Sequence, residues 1–407
     1  MSLFSSSLIV QKYGGTSVGT PERIKAVAQK IAKAKKEGKQ LIVVVSAMGH
    51  TTDELLGLAK QVSQDPPSRE IDMLLTAGER ISMALLAMAL SDLQIKAITF
   101  TGSQTGIITT DHHRRARILK ILGDRVKEVL SQGAVAIVAG FQGVSEQKEI
   151  TTLGRGGSDT TAVALAAAFR AQACEIYTDV DGVFSADPRI VKDAKWLPQI
   201  SHEQMAELAL RGAGVLHPRC VELAQKFNVP LWVLNSLKTG SEKSMGTQVV
   251  SHLQNMESPA VVGVTHDENK CLVSIELMRT SIAKSVWDTA MRLGLEILCP
   301  DFQDTTLRFF ISRDALSEWQ KALNQLAIDG FVRAIDIQET KVPVSIVGHR
   351  LTQDGSILTR VFEILDQIGI SVTMGQASSL AMTIAVPQAR ATEVVQKLHS
   401  ELVSRSS

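Results

Sequence analysis

Short, almost purely apolar runs alternate with longer segments of helical periodicity over the first two thirds of the chain. The apolar runs predict strands, and the periodic segments predict helices. Strands are predicted at 8–12, 41–45, 95–100, 134–138, 174–178 and 230–234, and helices at 21–36, 53–63, 69–91, 114–131, 159–171 and 218–227. Because apolar strands that alternate with helices have both faces covered, this part predicts an α/β fold with a mostly parallel sheet. Ligands bind such sheets at the carboxyl ends of the strands.

The pattern changes near 240–258, where the sequence is polar and weakly periodic. We predict a first domain at 1–250, a linker at 251–258, and two smaller α+β domains at 259–340 and 341–407. In the first of these, strands are predicted at 260–264, 271–275, 295–299, 306–311 and 332–337, with helices at 281–293 and 314–327. In the second, strands are predicted at 342–347, 370–374 and 380–386, with helices at 355–367 and 388–401. The similar layouts indicate an internal repeat of βαββαβ units, each of roughly 70 residues.

Composition excludes several classes of partner. The chain has 407 residues with 43 Lys and Arg against 42 Asp and Glu. This balance gives no basic excess for nucleic acid or an anionic membrane. The longest apolar runs fall short of the ~20 residues that span a bilayer, and the first residues lack the cationic start of a secretion signal. The four cysteines are scattered singly, which indicates reduced thiols and a cytoplasmic location.

The first predicted strand runs directly into Lys12, Tyr13, Gly14 and Gly15. A tight turn alone would explain the glycines. The alternative is an anion site, because glycines let backbone N–H groups approach oxygens closely and a lysine supplies a compact positive charge. This segment alone does not decide between the two.

The segment at 152–162 is the most informative one, TLGRGGSDTTA. Three glycines precede Ser158, which is placed to cap the following helix, and helix N-termini attract anions. Arg155 adds a planar fork that suits a carboxylate. Asp159 is an ordinary residue for a first helical turn, but the glycines and Arg155 favour a binding site.

Three further segments place polar residues after strands or inside a helix. Residues 177–189, YTDVDGVFSADPR, contain turn formers, and their mixture of polar and apolar side chains also suits a purine nucleotide. Gly78 lies in a predicted helix, where glycine costs about 1 kcal/mol relative to alanine. A close approach of backbone or ligand would justify it, and would leave Glu79 as either a substrate contact or a solvated side chain. Small and hydroxyl residues also follow strands at 46–53 and 140–143.

Several familiar signatures are absent from the sequence. It has no G-x-x-x-x-G-K-[ST] segment and no strand followed by G-x-G-x-x-G, so neither a P-loop nor a dinucleotide site is supported. The protein-kinase signatures H-R-D and D-F-G are missing. No histidines or cysteines stand at zinc spacing.

Together these segments resemble the aspartate kinases of the amino-acid kinase family over essentially the whole chain. The resemblance rests on KYGGTSV (12–18), SAMGHTTDEL (46–55), TAGER (76–80), GFQG (140–143), TTLGRGGSDTTA (151–162), YTDVDGVFSADPR (177–189) and GAGVLHPR (212–219). It implies an amino-acid kinase fold and ATP-dependent phosphorylation of the side-chain carboxylate of L-aspartate to 4-phospho-L-aspartate. This is the first step toward lysine, methionine and threonine.

The resemblance also implies roles for individual residues. Catalysis is assigned to Lys12 and Asp159, ATP binding to Lys12, Gly14, Gly15, Ser17, Thr178, Asp179, Phe184, Arg189 and Lys238, and substrate binding to Ser46, Thr52, Glu79, Arg155, Ser158 and Asp159. Mg2+ is expected to be carried by ATP, with no protein metal ligands. No general base is needed, because the acceptor carboxylate is already ionised at neutral pH.

The two carboxyl-terminal units resemble the paired ACT-type regulatory domains of these enzymes, which bind amino-acid end products. Lysine or threonine is therefore the expected effector, and the ACT-like region is expected to form a homodimer or a higher homo-oligomer. The usual Pro-Gly of the effector turn is replaced by residues 278–282 in the first ACT-like repeat and by residues 352–356 in the second ACT-like repeat. Feedback by lysine or threonine is thus either retained, altered or lost.

Two other functions compete with this interpretation. A kinase for glutamate or N-acetylglutamate would keep the catalytic fold but take another acid. A catalytically silent, amino-acid-sensing regulatory protein would keep the fold but not the intact Lys12, Glu79, Arg155 and Asp159.

Overall fold

The computed structural model describes residues 8–238, 246–251, 253, 260–353 and 355–403. These residues form two compact units. Within the described residues, the first unit takes in 8–183, 197–206, 215–238, 246–251 and 253, and the second takes in 184–196, 207–214, 260–353 and 355–403. Most of the predicted linker at 251–258 lies outside the described residues, so the domain bounds stay a prediction.

Up to residue 250 the chain alternates strands and helices. The strands are β1 (Leu8–Tyr13), β2 (Gln40–Val45), β3 (Ala97–Phe100), β4 (Ile107–Thr109), β5 (Ile118–Ile121), β6 (Val135–Ala139), β7 (Gln142–Ser145), β8 (Ile150–Thr152), β9 (Ala173–Thr178), β10 (Val183–Phe184), β11 (Trp196–Leu197), β12 (Gln199–Ser201), β13 (Leu231–Asn235) and β14 (Thr247–Val250). The helices are α1 (Pro21–Lys36), α2 (Thr51–Val62), α3 (Ser68–Asp92), α4 (Gly102–Thr105), α5 (Asp124–Ser131), α6 (Gly157–Phe169), α7 (His202–Leu210) and α8 (Pro218–Phe227).

An eight-stranded sheet forms the centre of the first unit, in the order β12-β14-β13-β9-β1-β2-β6-β3. From β13 to β3 every neighbouring pair is parallel, and only the β13–β14 pair is antiparallel. The prediction of a mostly parallel sheet is therefore confirmed. The six predicted strands are β1, β2, β3, β6, β9 and β13, and β2 and β6 are almost entirely buried, as the apolar runs require.

Helices cover this sheet. Helix α1 begins at Pro21 after Thr20, whose hydroxyl accepts a hydrogen bond from Arg23 N, and its apolar residues enter one buried cluster with strands β1 and β2. Helix α3 is long and apolar enough to span a membrane by length and composition alone, but 44% of its most apolar window is buried inside the fold. Packing against the sheet accounts for the buried apolar residues of this helix, which include Met83, Leu86 and Leu90.

The helix predicted at 114–131 is wrong over its first half. Residues 118–121 form strand β5, and helix α5 begins only at Asp124, after Gly123 with φ +70°. Strand β5 belongs to a second sheet of the first unit, in the order β5-β4-β7-β8. Pairing with β4 holds this segment as a strand, and local propensity does not report pairing between separated segments.

The second unit contains the remaining elements. They are β15 (Val261–His266), β16 (Lys270–Leu277), α9 (Ala283–Leu293), β17 (Leu298–Gln303), β18 (Thr306–Ser312), α10 (Leu316–Ile328), β19 (Val332–Gln338), β20 (Lys341–Gly348), α11 (Gly355–Gln367), β21 (Gly375–Ala377), β22 (Ala381–Pro387) and α12 (Ala391–Leu402). The strands predicted at 295–299 and 370–374 lie a few residues further along, as β17 and β21.

These elements form two antiparallel four-stranded sheets, β17-β18-β16-β19 and β15-β20-β22-β21. The strand predicted at 260–264 was assigned to the first repeat, and this assignment is wrong. Strand β15 pairs with β20, in the second sheet, with Val264 opposite Ile346. The chain thus starts the second sheet, builds the whole first sheet, and then returns. Each sheet packs its helices over its own apolar cluster.

Candidate active site

Five neighbouring parallel strands end at one edge of the large sheet. In sheet order they are β13, β9, β1, β2 and β6. Since parallel strands share one direction, the residues after them gather at that edge. These residues include Ser236, Gly14, Ser46 and Gly140, and most come from segments that the sequence analysis singled out for their polar and glycine content.

Lys12 and Asp159 form an ion pair at this edge. Lys12 Nζ lies 2.6 Å from Asp159 Oδ1, and each side chain is 12% exposed. Lys12 is on β1, while Asp159 is in the first turn of α6. A Cβ added at Gly14 would lie 3.4 Å from Lys12 Nζ, so glycine leaves the ammonium open space beside bare backbone. A buried cation and a helix N-terminus meet here.

The turn after β1 packs against the turn after β2. Gly49 N donates to Gly15 O at 3.0 Å, and Ser46 N donates to Tyr13 O at 3.1 Å. A Cβ at Gly15 would lie 2.9 Å from Ala47 O, which explains the need for glycine at this position. The two glycine-bearing turns are therefore held together as one surface at the edge of the sheet.

Helix α3 places Glu79 against the turn after β2. Its side chain is 3% exposed, and Oε1 accepts a hydrogen bond from Ala47 N at 3.1 Å. Within the described structure Oε2 has no hydrogen-bond partner. Burial raises the pKa of Glu79 to about 7. The solvated alternative is excluded, and a buried carboxylate with an unused oxygen is suited to a cation.

Gly78 explains how α3 comes this close. A Cβ at Gly78 would lie 2.7 Å from the Cβ of Ala47. Close approach is thus the reason for a glycine inside a helix, as the sequence analysis required.

The start of helix α6 carries the next group of side chains. The residue that caps this helix is Gly156, with φ +66°, and not Ser158, which lies inside the first turn. A Cβ at Gly140 would lie 2.6 Å from Ser158 Oγ, so the turn after β6 leaves room for that hydroxyl. Arg155 precedes the helix and is exposed. Thr52, in the first turn of α2, is half-buried.

The residues assigned to ATP divide into two groups. Thr178 and Asp179 lie at the end of β9, and the Thr178 hydroxyl donates to Asp179 Oδ1 at 3.2 Å. Lys238 Nζ lies 2.9 Å from Asp181 Oδ2, and this contact lowers the pKa of Asp181. Asn235 Nδ2 also donates to Asp181, at 2.8 Å. These contacts fix the loop after β9 to the end of β13.

Phe184 and Arg189 belong to the second unit. The Arg189 side chain is 89% exposed, and its guanidinium binds both carboxylate oxygens of Asp187. The Ser17 side chain is buried and donates to Ser236 Oγ at 2.7 Å. Its hydroxyl ties two loops together, so the structure gives this residue an internal role that the sequence did not indicate.

Sequence reasoning missed Asp72. Its carboxylate is fully buried and accepts hydrogen bonds from His113, Arg114 N and Thr152. One signal was available: Asp72 stands seven residues before Glu79, on the face of α3 that also buries Leu75 and Met83. An acidic residue on the apolar face of a helix indicates a specific polar partner.

The sequence that forms this sheet edge matches a known family of enzymes. The model of the amino acid kinase family matches residues 7–235. This stretch is more than half of the chain and holds the sheet edge from β1 to β13. The chain belongs to the amino acid kinase family.

Relatives of similar length narrow the activity within this class. The aspartokinase of Geobacillus stearothermophilus is 43% identical over 399 residues, which cover 96% of each chain. The aspartokinase of Mycolicibacterium smegmatis is 42% identical over 406 residues, which cover 97% of this chain and 95% of that one. The activity is therefore that of an aspartate kinase, which transfers a phosphoryl group from ATP to the side-chain carboxylate of L-aspartate. The glutamate-type kinase and the silent regulatory protein are accordingly set aside.

Two solved structures of E. coli aspartokinase III share the fold. The one in complex with aspartate and ADP matches with a TM-score of 0.83 at 24% identity, over 97% of this chain and 100% of that chain. The one in complex with lysine and aspartate matches with a TM-score of 0.74 at 25% identity, over 98% of this chain and 100% of that chain. The amino-acid kinase fold expected from the sequence is thus confirmed.

Proposed function

We propose that Lys12 binds the terminal phosphates of ATP and neutralises the charge that develops during transfer. The observation that carries this proposal is the Lys12–Asp159 pair of 2.6 Å at the meeting point of five strand ends. Phosphoryl transfer needs mainly positioning and charge stabilisation, and a positioned ammonium beside bare glycine backbone supplies both. Asp159 would orient the ammonium, and Gly14 and Gly15 would let backbone N–H groups reach the phosphates.

The aspartate substrate would lie between three anchors. Arg155 would bind the α-carboxylate, because a guanidinium matches a carboxylate with two parallel hydrogen bonds. Glu79 would bind the ammonium through its unused Oε2. Ser158 and Thr52 would complete the pocket, with Ser46 at the end of β2. The side-chain carboxylate of the substrate is then left to attack the γ-phosphorus.

The remaining nucleotide contacts are proposed for the loop after β9. Thr178, Asp179 and Lys238 lie at the ends of β9 and β13, which supports a role for them in holding the ribose or the phosphates. Phe184 and Arg189 are proposed for the same nucleotide on the resemblance alone. Among the described residues no group of three or more acidic, His or Cys side chains is placed to hold a metal. We propose on the resemblance that Mg2+ is carried by the phosphates of ATP, where it would shield their charge.

Trapping of the product with hydroxylamine tests the role of Lys12. Lys12→Ala should reduce formation of the aspartyl hydroxamate at least about 1000-fold, since charge stabilisation of this kind is commonly worth several kcal/mol. Lys33→Ala is the matched control, because Lys33 is exposed on α1. A Lys12→Ala enzyme that is folded by circular dichroism and keeps its rate would refute the assignment.

We also propose that the second unit comprises two ACT-like domains that bind lysine or threonine and form a homodimer or higher homo-oligomer. One structure of E. coli aspartokinase III is described in complex with lysine and aspartate, which supports an amino-acid effector. The exposed edge strand β21 supports pairing between copies. Four buried, free cysteines agree with a reducing cytoplasm. Light scattering of the protein in solution, and the trapping assay with each amino acid added, test these points.

A further inference from the structure

Arg155 stands between two glycines whose backbone is in the left-handed region. Gly154 has φ +77° and Gly156 has φ +66°. A Cβ at Gly154 would lie 2.8 Å from Arg114 O, and a Cβ at Gly156 would lie 2.2 Å from Cγ of His217. The backbone on each side of Arg155 is therefore pressed against another segment of the first unit, and only glycine fits at either position.

Asp72 fixes the first of these segments. Its carboxylate is 0% exposed and accepts hydrogen bonds from Arg114 N at 3.1 Å and from the ring Nδ1 of His113 at 2.8 Å. The same carboxylate accepts from Thr152 N at 3.1 Å and from Thr152 Oγ1 at 2.6 Å. One buried carboxylate thus joins helix α3, the loop before β5 and the end of β8, three residues before Arg155.

Arg219 contacts both the chain directly before the loop of Arg155 and the segment before β5. Its Nη1 donates to Leu153 O at 2.9 Å, and its Nη2 donates to Ala116 O at 3.0 Å. Ala116 N in turn donates to Thr152 O at 2.9 Å. The guanidinium therefore binds one carbonyl group directly before the loop of Arg155 and one in the segment before β5.

We propose that Asp72 and Arg219 are positioning residues for aspartate binding: together they hold the backbone of residues 152–157 so that Arg155 meets the substrate carboxylate in a fixed direction. The inference rests on the proposed role of Arg155. A two-point contact between a guanidinium and a carboxylate is sensitive to direction, and a displacement of about 1 Å costs up to ~100-fold in rate. Because these hydrogen bonds hold the loop, little ordering entropy remains to be lost on substrate binding.

The proposal also gives a function to the segment GAGVLHPR, which the catalytic assignment left unused. His217 packs on Gly156, Pro218 starts helix α8 and Arg219 reaches the carbonyl groups. His217 and Arg219 thus both contact the loop of Arg155, and Pro218 begins the helix that carries Arg219.

Steady-state kinetics of Asp72→Asn test the proposal. Asparagine keeps the shape but turns one acceptor oxygen into an NH2 group facing N–H donors, so hydrogen bonds to the loop are lost. We expect the KM for aspartate to rise about 10- to 100-fold with the KM for ATP within about twofold of the wild-type value. Equal rises in both KM values, or an unchanged KM for aspartate in a folded variant, would overturn the proposal.

The matched control is Thr109→Val. This change removes the buried hydrogen bond of 2.6 Å between the hydroxyls of Thr109 and Thr151, in the sheet β5-β4-β7-β8 that also contains Thr152. It removes no contact of Asp72 or Arg219. It should lower the melting temperature and leave the KM for aspartate unchanged. If it raises that KM as much as Asp72→Asn does, the effect is one of general loosening and the proposal fails.

Arg219→Lys provides the second variant if Asp72→Asn does not fold. Lysine keeps the charge and one of the two carbonyl contacts, so it should raise the KM for aspartate less than Arg219→Gln does. No difference between either variant and the wild type would contradict the proposal.

Arg155→Ala separates this inference from the proposed function. If Arg155→Ala leaves the KM for aspartate unchanged, the role of Arg155 itself is wrong. If Arg155→Ala raises it and both Asp72→Asn and Arg219→Gln do not, only the positioning inference is wrong.

Discussion

Burial, rather than a neighbouring charge, determines the acid–base behaviour of Glu79. The largest influence on its pKa is removal of the carboxylate from water, partly offset by backbone hydrogen bonds that include the one from Ala47 N. The resulting pKa of about 7 lies within the working range of most enzymes. The proposed salt bridge to the substrate ammonium requires the ionised form, so binding competes with protonation.

The pH profile of kcat/KM for aspartate follows from this. Below pH 7 an increasing share of the free enzyme carries protonated Glu79, so kcat/KM should fall about tenfold per pH unit. Glu79→Gln should have a much lower value and a flat profile over the same range. A wild-type profile that is level from pH 8 to pH 6 would show that Glu79 does not bind the substrate in its ionised form.

At the scale of single residues, the sequence predicted charged side chains and glycines as the candidates for the site. Lys12, Glu79 and Arg155 were proposed as site residues because glycines stand beside each of them in the sequence, and this signal is local. Asp72 was missed because its partners, His113 and Thr152, are distant in sequence and come together only in the fold.

At the scale of elements, helix α3 links the core of the first unit to the candidate site. One face carries Leu86 and Leu90 into the buried cluster with the sheet. The same helix carries Gly78 and Glu79 against the turn after β2. The packing of helix α3 against the sheet therefore also fixes the position of Glu79 relative to the turn after β2, where the substrate would bind.

A pair of glycine substitutions tests this packing. Gly78→Ala should destabilise the protein by about 1–3 kcal/mol, because the added methyl group would overlap with Ala47. Gly57→Ala, inside α2 with open space around it, should stabilise by about 1 kcal/mol through helix propensity. Urea unfolding measures both, and a stabilising Gly78→Ala would contradict the close approach.

Element prediction failed where pairing, and not local pattern, decides the structure. Residues 118–121 are held as a strand by β4, and the strand near 261 joins β20 some eighty residues later rather than the adjacent β16. Neither partner can be identified from the local sequence. The central strands β1, β2 and β6 were predicted well because their burial on both faces leaves an apolar run in the sequence itself.

At the scale of the whole molecule, buried histidines make both units sensitive to acid. His202 in the first unit and His399 in the second are 3% and 0% exposed, and burial lowers the pKa of each below 6.5. His399 Nε2 lies 2.8 Å from Ser185 Oγ. Asp193 raises the pKa of His399 and Lys195 lowers it, each less than burial does.

Acidification should therefore remove the stability that these two buried histidines contribute. Stability from a lowered histidine pKa is fully present above pH 6.5 and is lost as the pH falls through 6.5 toward the folded-state pKa, by at most about 1.4 kcal/mol per pH unit for each histidine. Glu79 acts in the opposite direction, because its raised pKa lets the folded state take up a proton first as the pH falls through 7. Thermal melts from pH 8 to pH 5 should show a smaller loss for His399→Gln than for the wild type. An equal loss would exclude His399 as a cause.

The most direct test of the account is a crystal structure of the protein with a non-hydrolysable ATP analogue, Mg2+ and L-aspartate. The terminal phosphate should lie within hydrogen-bond distance of Lys12 Nζ, and the substrate α-carboxylate should bind the Arg155 guanidinium. A nucleotide bound away from the turn after β1, or an aspartate that does not contact Arg155, would contradict it.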